Sequence, residues 1–308
     1  MRPDLRTAWQ RISAEEGRVF LKSPLGSLSY RRLAGLIRSF CAAFDLNHIE
    51  QGSRVVIVTT NEPVAGAAFL AAMLDGLVPV MLSDDSALNR IKAICASLEP
   101  SLLIADKALL DQLSASDLNG TPTLAVPAKV QLEAPFEGLN AAWRGFIQRI
   151  KPGPAETCLN LPTGGRDPHL PAADETSAYI LFTSGTTKAP SGVQITRNSL
   201  MAQLETLTRL FAYGADSRIF NATPLAHTDG LVQGLLLAAV NGATLLRPGP
   251  FSLPNLEEWL DSLGRFEATH FITNPTVAPS AVMAGCALET WPGAGKMVDL
   301  KLSGAYRV

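Results

Sequence analysis

From Arg54 onward the chain alternates short apolar runs with stretches of helical periodicity, and few folds can absorb that alternation. Residues 55–58 (V-V-I-V) read as a buried strand, and Pro63 suits the first turn of a helix running to about Leu74. Gly76 ends that helix and residues 78–82 form the next strand. Asp84, Asp85 or Ser86 is placed to cap a helix whose apolar stripe is Leu88, Ile91, Ile94 and Leu98. Residues 102–105 and 123–126 supply two more strands with a short helix between them. Strands alternating with helices pair in parallel, and a parallel sheet needs cover on both faces. The expected fold class is therefore α/β.

Two later segments carry the chemistry. Tyr179, Ile180, Leu181 and Phe182 make an apolar strand that runs directly into Thr183, Ser184, Gly185, Thr186 and Thr187. Such a loop offers hydroxyls and backbone N–H groups with little bulk in the way, which suits phosphate oxygens. The plainer reading is a Ser/Thr-rich turn held by its own hydroxyl–backbone bonds. No G-x-x-x-x-G-K-[ST] occurs, so a phosphate-loop NTPase does not fit. Further on, residues 224–230 (P-L-A-H-T-D-G) precede an apolar helix through Gln233, Leu237 and Val240. Gly242, Ala243 and Thr244 then lead into a strand at Leu245 and Leu246. No metal ligands are expected: His227 and Asp229 have no third partner at a familiar spacing, and the Asp84–Asp85 pair suits helix capping better.

Residues 183–193 (T-S-G-T-T-K-A-P-S-G-V) resemble the phosphate-binding signature T-S-G-T-T-G-x-P-K-G-V of the adenylate-forming, AMP-binding superfamily. That superfamily includes acyl- and aryl-CoA synthetases, acyl-AMP ligases, luciferases and peptide-synthetase adenylation domains. Lys188 stands where the family has its second glycine, and Ser191 where it has lysine, so the charge lies three residues nearer the N-terminus. Other segments are similar to family patterns in the same order. They are L-S-Y-R-R-L at residues 28–33, G-L-V-P-V at 76–80, P-L-A-H-T-D-G at 224–230 and T-H-F-I-T-N-P-T at 269–276. Last comes L-S-G-A at residues 302–305.

The resemblance implies two packed α/β subdomains of an acetyl-CoA synthetase-like N-terminal domain. Residues 1–53 and 194–308 would form one, and residues 54–193 the other. It implies MgATP-dependent activation of a small carboxylic acid as an acyl-adenylate, then transfer to CoA or to the phosphopantetheine of an acyl carrier protein. Thr183, Ser184, Gly185, Thr186 and Thr187 would hold the β- and γ-phosphates, with Lys188 or Ser191 contributing. His227 would be the catalytic histidine bordering the carboxylate pocket, with Asp229 and Gln233 facing the substrate. Ser303, Gly304 and Ala305 would border the nucleotide, and His270 would be structural. None of the 308 residues matches the family's adenine, ribose, hinge or lid segments. The expectation is a truncated N-terminal portion, inactive by itself. The alternatives are a non-catalytic remnant or scaffold that at most binds nucleotide, and one half of a split ligase.

Charge and cysteine usage narrow the partners. With 26 basic and 28 acidic residues, a net charge of −2 and no basic run, nucleic acid and anionic membrane surfaces are not expected partners. Cys41, Cys95, Cys158 and Cys286 are widely spaced without a C-x-x-C pair, as expected of free thiols in the cytoplasm. The N-terminus lacks the apolar stretch of a signal peptide, and the apolar run at residues 231–240 is too short for a bilayer.

Overall fold

The computed structural model describes residues 4–15, 17–83, 86, 88–126, 132, 161, 165–171, 176–182, 191–249 and 256–272. In chain order the elements begin with α1 (Leu5–Ala14), β1 (Val19–Ser23), β2 (Gly26–Ser29), α2 (Tyr30–Leu46), β3 (Arg54–Val58) and α3 (Glu62–Leu74). They continue with β4 (Val78–Met81), α4 (Leu88–Leu98), β5 (Leu102–Asp106), α5 (Lys107–Leu110), β6 (Thr123–Val126), β7 (Ser177–Phe182) and β8 (Gly192–Thr196). Then follow α6 (Arg197–Leu210), β9 (Arg218–Asn221), α7 (Thr228–Gly230), a π-helical turn (Leu231–Leu236) and α8 (Leu237–Asn241). Finally come β10 (Thr244–Leu246), α9 (Leu256–Arg265) and β11 (His270–Ile272). The fold is α/β with two sheets. The described residues sort into two compact units. One lies within Met1–Trp9, Arg31–Gln131 and Pro152–Gln203, the other within Gln10–Tyr30, Leu132–Lys151 and Leu204–Val308.

The first unit holds a six-stranded sheet in the order β6-β5-β3-β4-β7-β8. All neighbouring pairs are parallel except the β7–β8 hairpin. The central strands β3, β4 and β5 are buried along almost their whole length, as expected when helices cover both faces. Helix α3 is apolar all round, and every residue from Val64 to Leu74 is buried. Its start is fixed by Asn61, whose side chain accepts a hydrogen bond from the Val64 N–H, and by Pro63 in the first turn. Its end is fixed by Gly76 at φ +84°, with the Leu77 N–H donating back to the Ala72 carbonyl at 2.8 Å. Helix α2 buries an apolar stripe completely at Leu33, Ile37 and Phe40. Cys41 and Cys95 are free and buried, and burial pushes the Cys95 thiol up to about 11. Cys158 and Cys286 lie outside the described residues.

The second unit holds a five-stranded sheet in the order β11-β9-β10-β1-β2. The hairpin β1–β2 joins it through parallel pairing of β1 with β10, Leu21 opposite Leu245. Tyr30 is fully buried, with its hydroxyl 2.7 Å from the Ala243 carbonyl oxygen and 3.1 Å from that of Ala238. It thereby ties the start of α2 to the end of α8, where the Ala238 carbonyl also accepts the Gly242 and Ala243 N–H groups. Among the described residues no helix is long and apolar enough to cross a membrane.

One feature of the first unit was invisible in the sequence. Residues 165–171, none of them in a helix or strand, close on the C-terminal ends of α2 and α3. Arg166 bonds both oxygens of Asp45 (2.5 and 2.7 Å) and both oxygens of Asp75 (2.7 and 2.8 Å). Asp75 also accepts the His169 N–H at 2.9 Å. A carboxylate at a helix C-terminus opposes the helix dipole, and the Asp75 side chain is only 4% exposed. The guanidinium answers both costs. It also holds the Asp45 carboxyl below the ordinary carboxylate range.

Arg166→Met should therefore destabilise the first unit by roughly 2–4 kcal/mol, mostly because Asp75 loses its partner inside the protein. The sign with pH follows from Asp45, whose folded pKa is the lower one. Its pairing stabilises fully above the unfolded value, about 3.9, and is lost as pH falls through the folded value. Urea denaturation between pH 7 and 3 should show a steeper acid loss in the parent than in the variant.

Candidate functional site

The hydroxyl-rich loop is framed by the first sheet. β7 pairs in parallel with β4, Val80 opposite Ile180, and antiparallel with β8, Phe182 opposite Gly192. The chain thus leaves β7 and re-enters at Gly192 on the carboxyl edge of the parallel strands, where open α/β sheets bind ligands. A β-carbon on Gly192 would lie 3.0 Å from Ile180 Cγ2 and 3.2 Å from Phe182 Cζ, so the return strand is tightly seated. Thr183, Ser184, Gly185, Thr186, Thr187 and Lys188 lie outside the described residues, as do Ser303, Gly304 and Ala305. Ser191 is described and exposed, just before β8. On the same edge, at the ends of β3 and β5, Asp106 is buried. It accepts the Thr60 N–H and Thr60 hydroxyl at 2.8 Å each, and the Thr59 hydroxyl. These bonds satisfy the buried carboxylate and stiffen the edge.

In the second unit His227, Asp229 and Gln233 come together at one helix entrance. His227 is the N-cap of α7, and its Nδ1 accepts the Asp229 N–H at 3.3 Å. That bond assigns the ring proton to Nε2. The His227 side chain is 64% exposed and that of Asp229 39% exposed, so both are available to a small molecule. Gln233 is buried, and its Nε2 donates to Asp229 Oδ1 at 2.7 Å. Its Oε1 has no hydrogen-bond partner among the described residues. Gln233 sits inside the π-helical turn, a distortion that frequently marks functional segments. The sequence led to an ordinary apolar helix here.

Three residues that hold this entrance were missed by sequence reasoning. Asn221 ends β9 fully buried; its Oδ1 accepts the Thr223 N–H at 2.8 Å and its Nδ2 donates to the Asp229 carbonyl at 2.9 Å. Gly230 passes directly over the turn, where a β-carbon would lie 2.1 Å from the Pro224 carbonyl oxygen and 2.4 Å from that of Thr223. Arg247, one residue past β10, is buried and donates to the Asn221 and Thr223 carbonyls. Only the glycine had a signal, as the last position of P-L-x-H-x-x-G. His270, expected to be structural, lies in β11. It stacks on Tyr213 with ring centroids 4.3 Å apart and bonds the Phe211 carbonyl oxygen at 2.9 Å through Nε2.

This architecture is that of the N-terminal domain of acyl-CoA synthetase-like adenylate-forming enzymes. The O-succinylbenzoate coenzyme A synthetase MenE from Bacillus subtilis, solved in complex with AMP, superposes with a TM-score of 0.65. It shares 18% identity over 93% of this chain and 64% of its own. The chain belongs to the AMP-binding enzyme family, whose model matches residues 9–302. Curated relatives include the indoleacetate–CoA ligase of Aromatoleum aromaticum, 27% identical over 75% of this chain and 42% of its own length. Another is the L-proline–[L-prolyl-carrier protein] ligase of Pseudomonas fluorescens, 27% identical over 71% of this chain and 39% of its own length. The chain therefore spans less than half the length of these two relatives.

Gly230→Ala should push the 223–224 backbone away from the helix entrance, because the new methyl meets carbonyl oxygens rather than a flexible side chain. The expected cost is about 1–3 kcal/mol in denaturant unfolding, with amide exchange rising mainly in residues 222–231.

Proposed function

We propose that this chain belongs to a ligase that activates a carboxylic acid with ATP as an acyl-adenylate and then passes the acyl group to a thiol. One observation carries the reading. In a chain matched over residues 9–302 by the AMP-binding family model, β7 runs directly into T-S-G-T-T-K at the carboxyl edge of a parallel sheet. The donor set of Thr183, Ser184, Thr186, Thr187 and Lys188, all hydroxyls, backbone N–H groups and one ammonium, matches the chemistry of triphosphate oxygens. These residues would hold MgATP, which supplies the α-phosphorus that the acid attacks. The protein's part is then positioning and charge stabilisation. His227 would border the acid, presenting Nε2–H to its carboxylate. Asp229 would sit nearby as an acceptor, which favours acids bearing a hydrogen-bond donor over dicarboxylic acids. The relatives, a CoA ligase and a carrier-protein ligase, support a thiol acceptor of either kind.

A second reading is a chain that holds nucleotide without turning it over. It rests on Lys188 and Ser191, which depart from the family loop.

Isotope exchange between pyrophosphate and ATP across a panel of carboxylic acids, run beside ATP titration calorimetry, separates the two. Acid-dependent exchange is the expected result for a protein that also carries the family's adenine, ribose and lid segments, with little or none from these 308 residues by themselves. ATP binding with no exchange for any acid would favour the second reading, and no ATP binding would remove both. Lys188→Ala should weaken ATP binding by roughly 1–3 kcal/mol, and adding Ser191→Lys should restore much of the loss. Unchanged affinity in Lys188→Ala would assign the contact to the loop backbone instead.

A further inference from the structure

We propose that Arg247 is a positioning residue for His227. It acts by clamping the backbone that carries the histidine away from β9. Its relevance to catalysis rests on the acid-activation reading above, but the clamp itself does not.

The clamp is built from β10. Leu246 pairs with Phe220, so Arg247 stands one step beyond the last paired position, beside Asn221, where the parallel ladder has ended. Its own N–H donates to the Lys22 carbonyl at 2.8 Å, which fixes the start of the side chain. Nη1 then donates to two carbonyls of the departing chain, Asn221 at 2.6 Å and Thr223 at 2.8 Å. Arg247 is only 5% exposed. A guanidinium withdrawn from water is stable only where its donors are well used, so a buried arginine aimed at an exit loop constrains that loop.

Each residue it grips has a second task. Asn221 uses its side chain to bond the Thr223 N–H and the Asp229 carbonyl, which bridges the start and end of the turn. The Thr223 carbonyl is one of the two surfaces against which Gly230 packs. A shift at either carbonyl therefore moves the helix entrance. There the Asp229 N–H meets His227 Nδ1 and selects the ring tautomer. The chain of contacts runs Arg247, Thr223 and Asn221, Asp229, His227, all within one unit.

The test uses the 308-residue chain with Arg247→Met, which keeps the side-chain bulk, and Arg247→Lys, whose ammonium can still donate to both carbonyls. Two readouts are needed: amide hydrogen exchange by peptide, and nitrogen NMR of selectively labelled histidine, with the His227 signals assigned through His227→Gln. In Arg247→Met, exchange at residues 222–230 should rise at least about tenfold, while β9 and β10 stay within about twofold of the parent. His227 should lose its single Nε2–H tautomer in favour of a mixture. Arg247→Lys should recover most of both. Unchanged exchange and tautomer in Arg247→Met would overturn the proposal, as would protection lost evenly through β9, β10 and the loop. If Arg247→Met does not fold, Arg247→Gln, whose shorter amide arm cannot span both carbonyls, carries the test alone. A rise confined to residues 222–230 supports the clamp, and a parent-like loop beside loosened strands overturns it. Neither readout involves ATP or an acid, so a chain that activates no acid can still show the clamp. Conversely, acid activation with a parent-like Arg247→Met loop would remove this proposal alone.

Discussion

Parallel pairing governs this molecule. Two parallel strands cannot be joined by a tight turn, so each crossing takes a long connection, and every strand then ends on the same edge. In the first unit that edge gathers the ends of β3, β4, β5 and β7. It carries the Thr59–Thr60–Asp106 knot and the exit into the hydroxyl-rich loop. In the second unit the ends of β9 and β10 carry Asn221 and Arg247. The same pairing demands burial on both faces, which is why α3 has no polar side along residues 64–74. Side chains with chemistry are left with the strand ends, where backbone groups run out of ladder partners.

Satisfying those spare backbone groups is the second theme. The Tyr30 hydroxyl meets carbonyls at the end of α8, the Arg247 guanidinium meets carbonyls at the end of β9, and Arg166 neutralises carboxylates at two helix ends. Each places a polar or charged group inside the protein, where its absence would leave an acceptor or a carboxylate stranded. The His227 entrance is thus held by polar contacts around a small glycine-gated turn, with Gln233 bonding Asp229 from the π-helical turn. A fold that spends its apolar residues on the two sheets stabilises its chemical edge with hydrogen bonds instead.

Much of this was legible in the sequence because it depends on local periodicity. The strands at residues 55–58, 102–105 and 123–126 and the ends of α3 follow from apolar spacing, Pro63 and Gly76. His227, Asp229 and Gln233 were found from a short motif, and the structure joins them through hydrogen bonds. The misses have a common cause. β1 is brief and weakly patterned and is completed only by pairing with β10, far along the chain. β9 likewise depends on its neighbours. Arg166 and Arg247 look like ordinary surface cations in a string of letters. Their importance arises from partners distant in sequence, which periodicity does not encode.

The pairing of β1 with β10 also has a consequence for biosynthesis. The hairpin at residues 19–29 leaves the ribosome well before the strand on its other side, residues 244–246. Until then β1 has one open edge, and an unpaired edge invites pairing with the wrong strand. The six strands of the other sheet lie together between residues 54 and 196 and can assemble first. Order of emergence and order of closure are therefore reversed for the two sheets. The nascent chain must keep that hairpin unclaimed while the other sheet forms behind it.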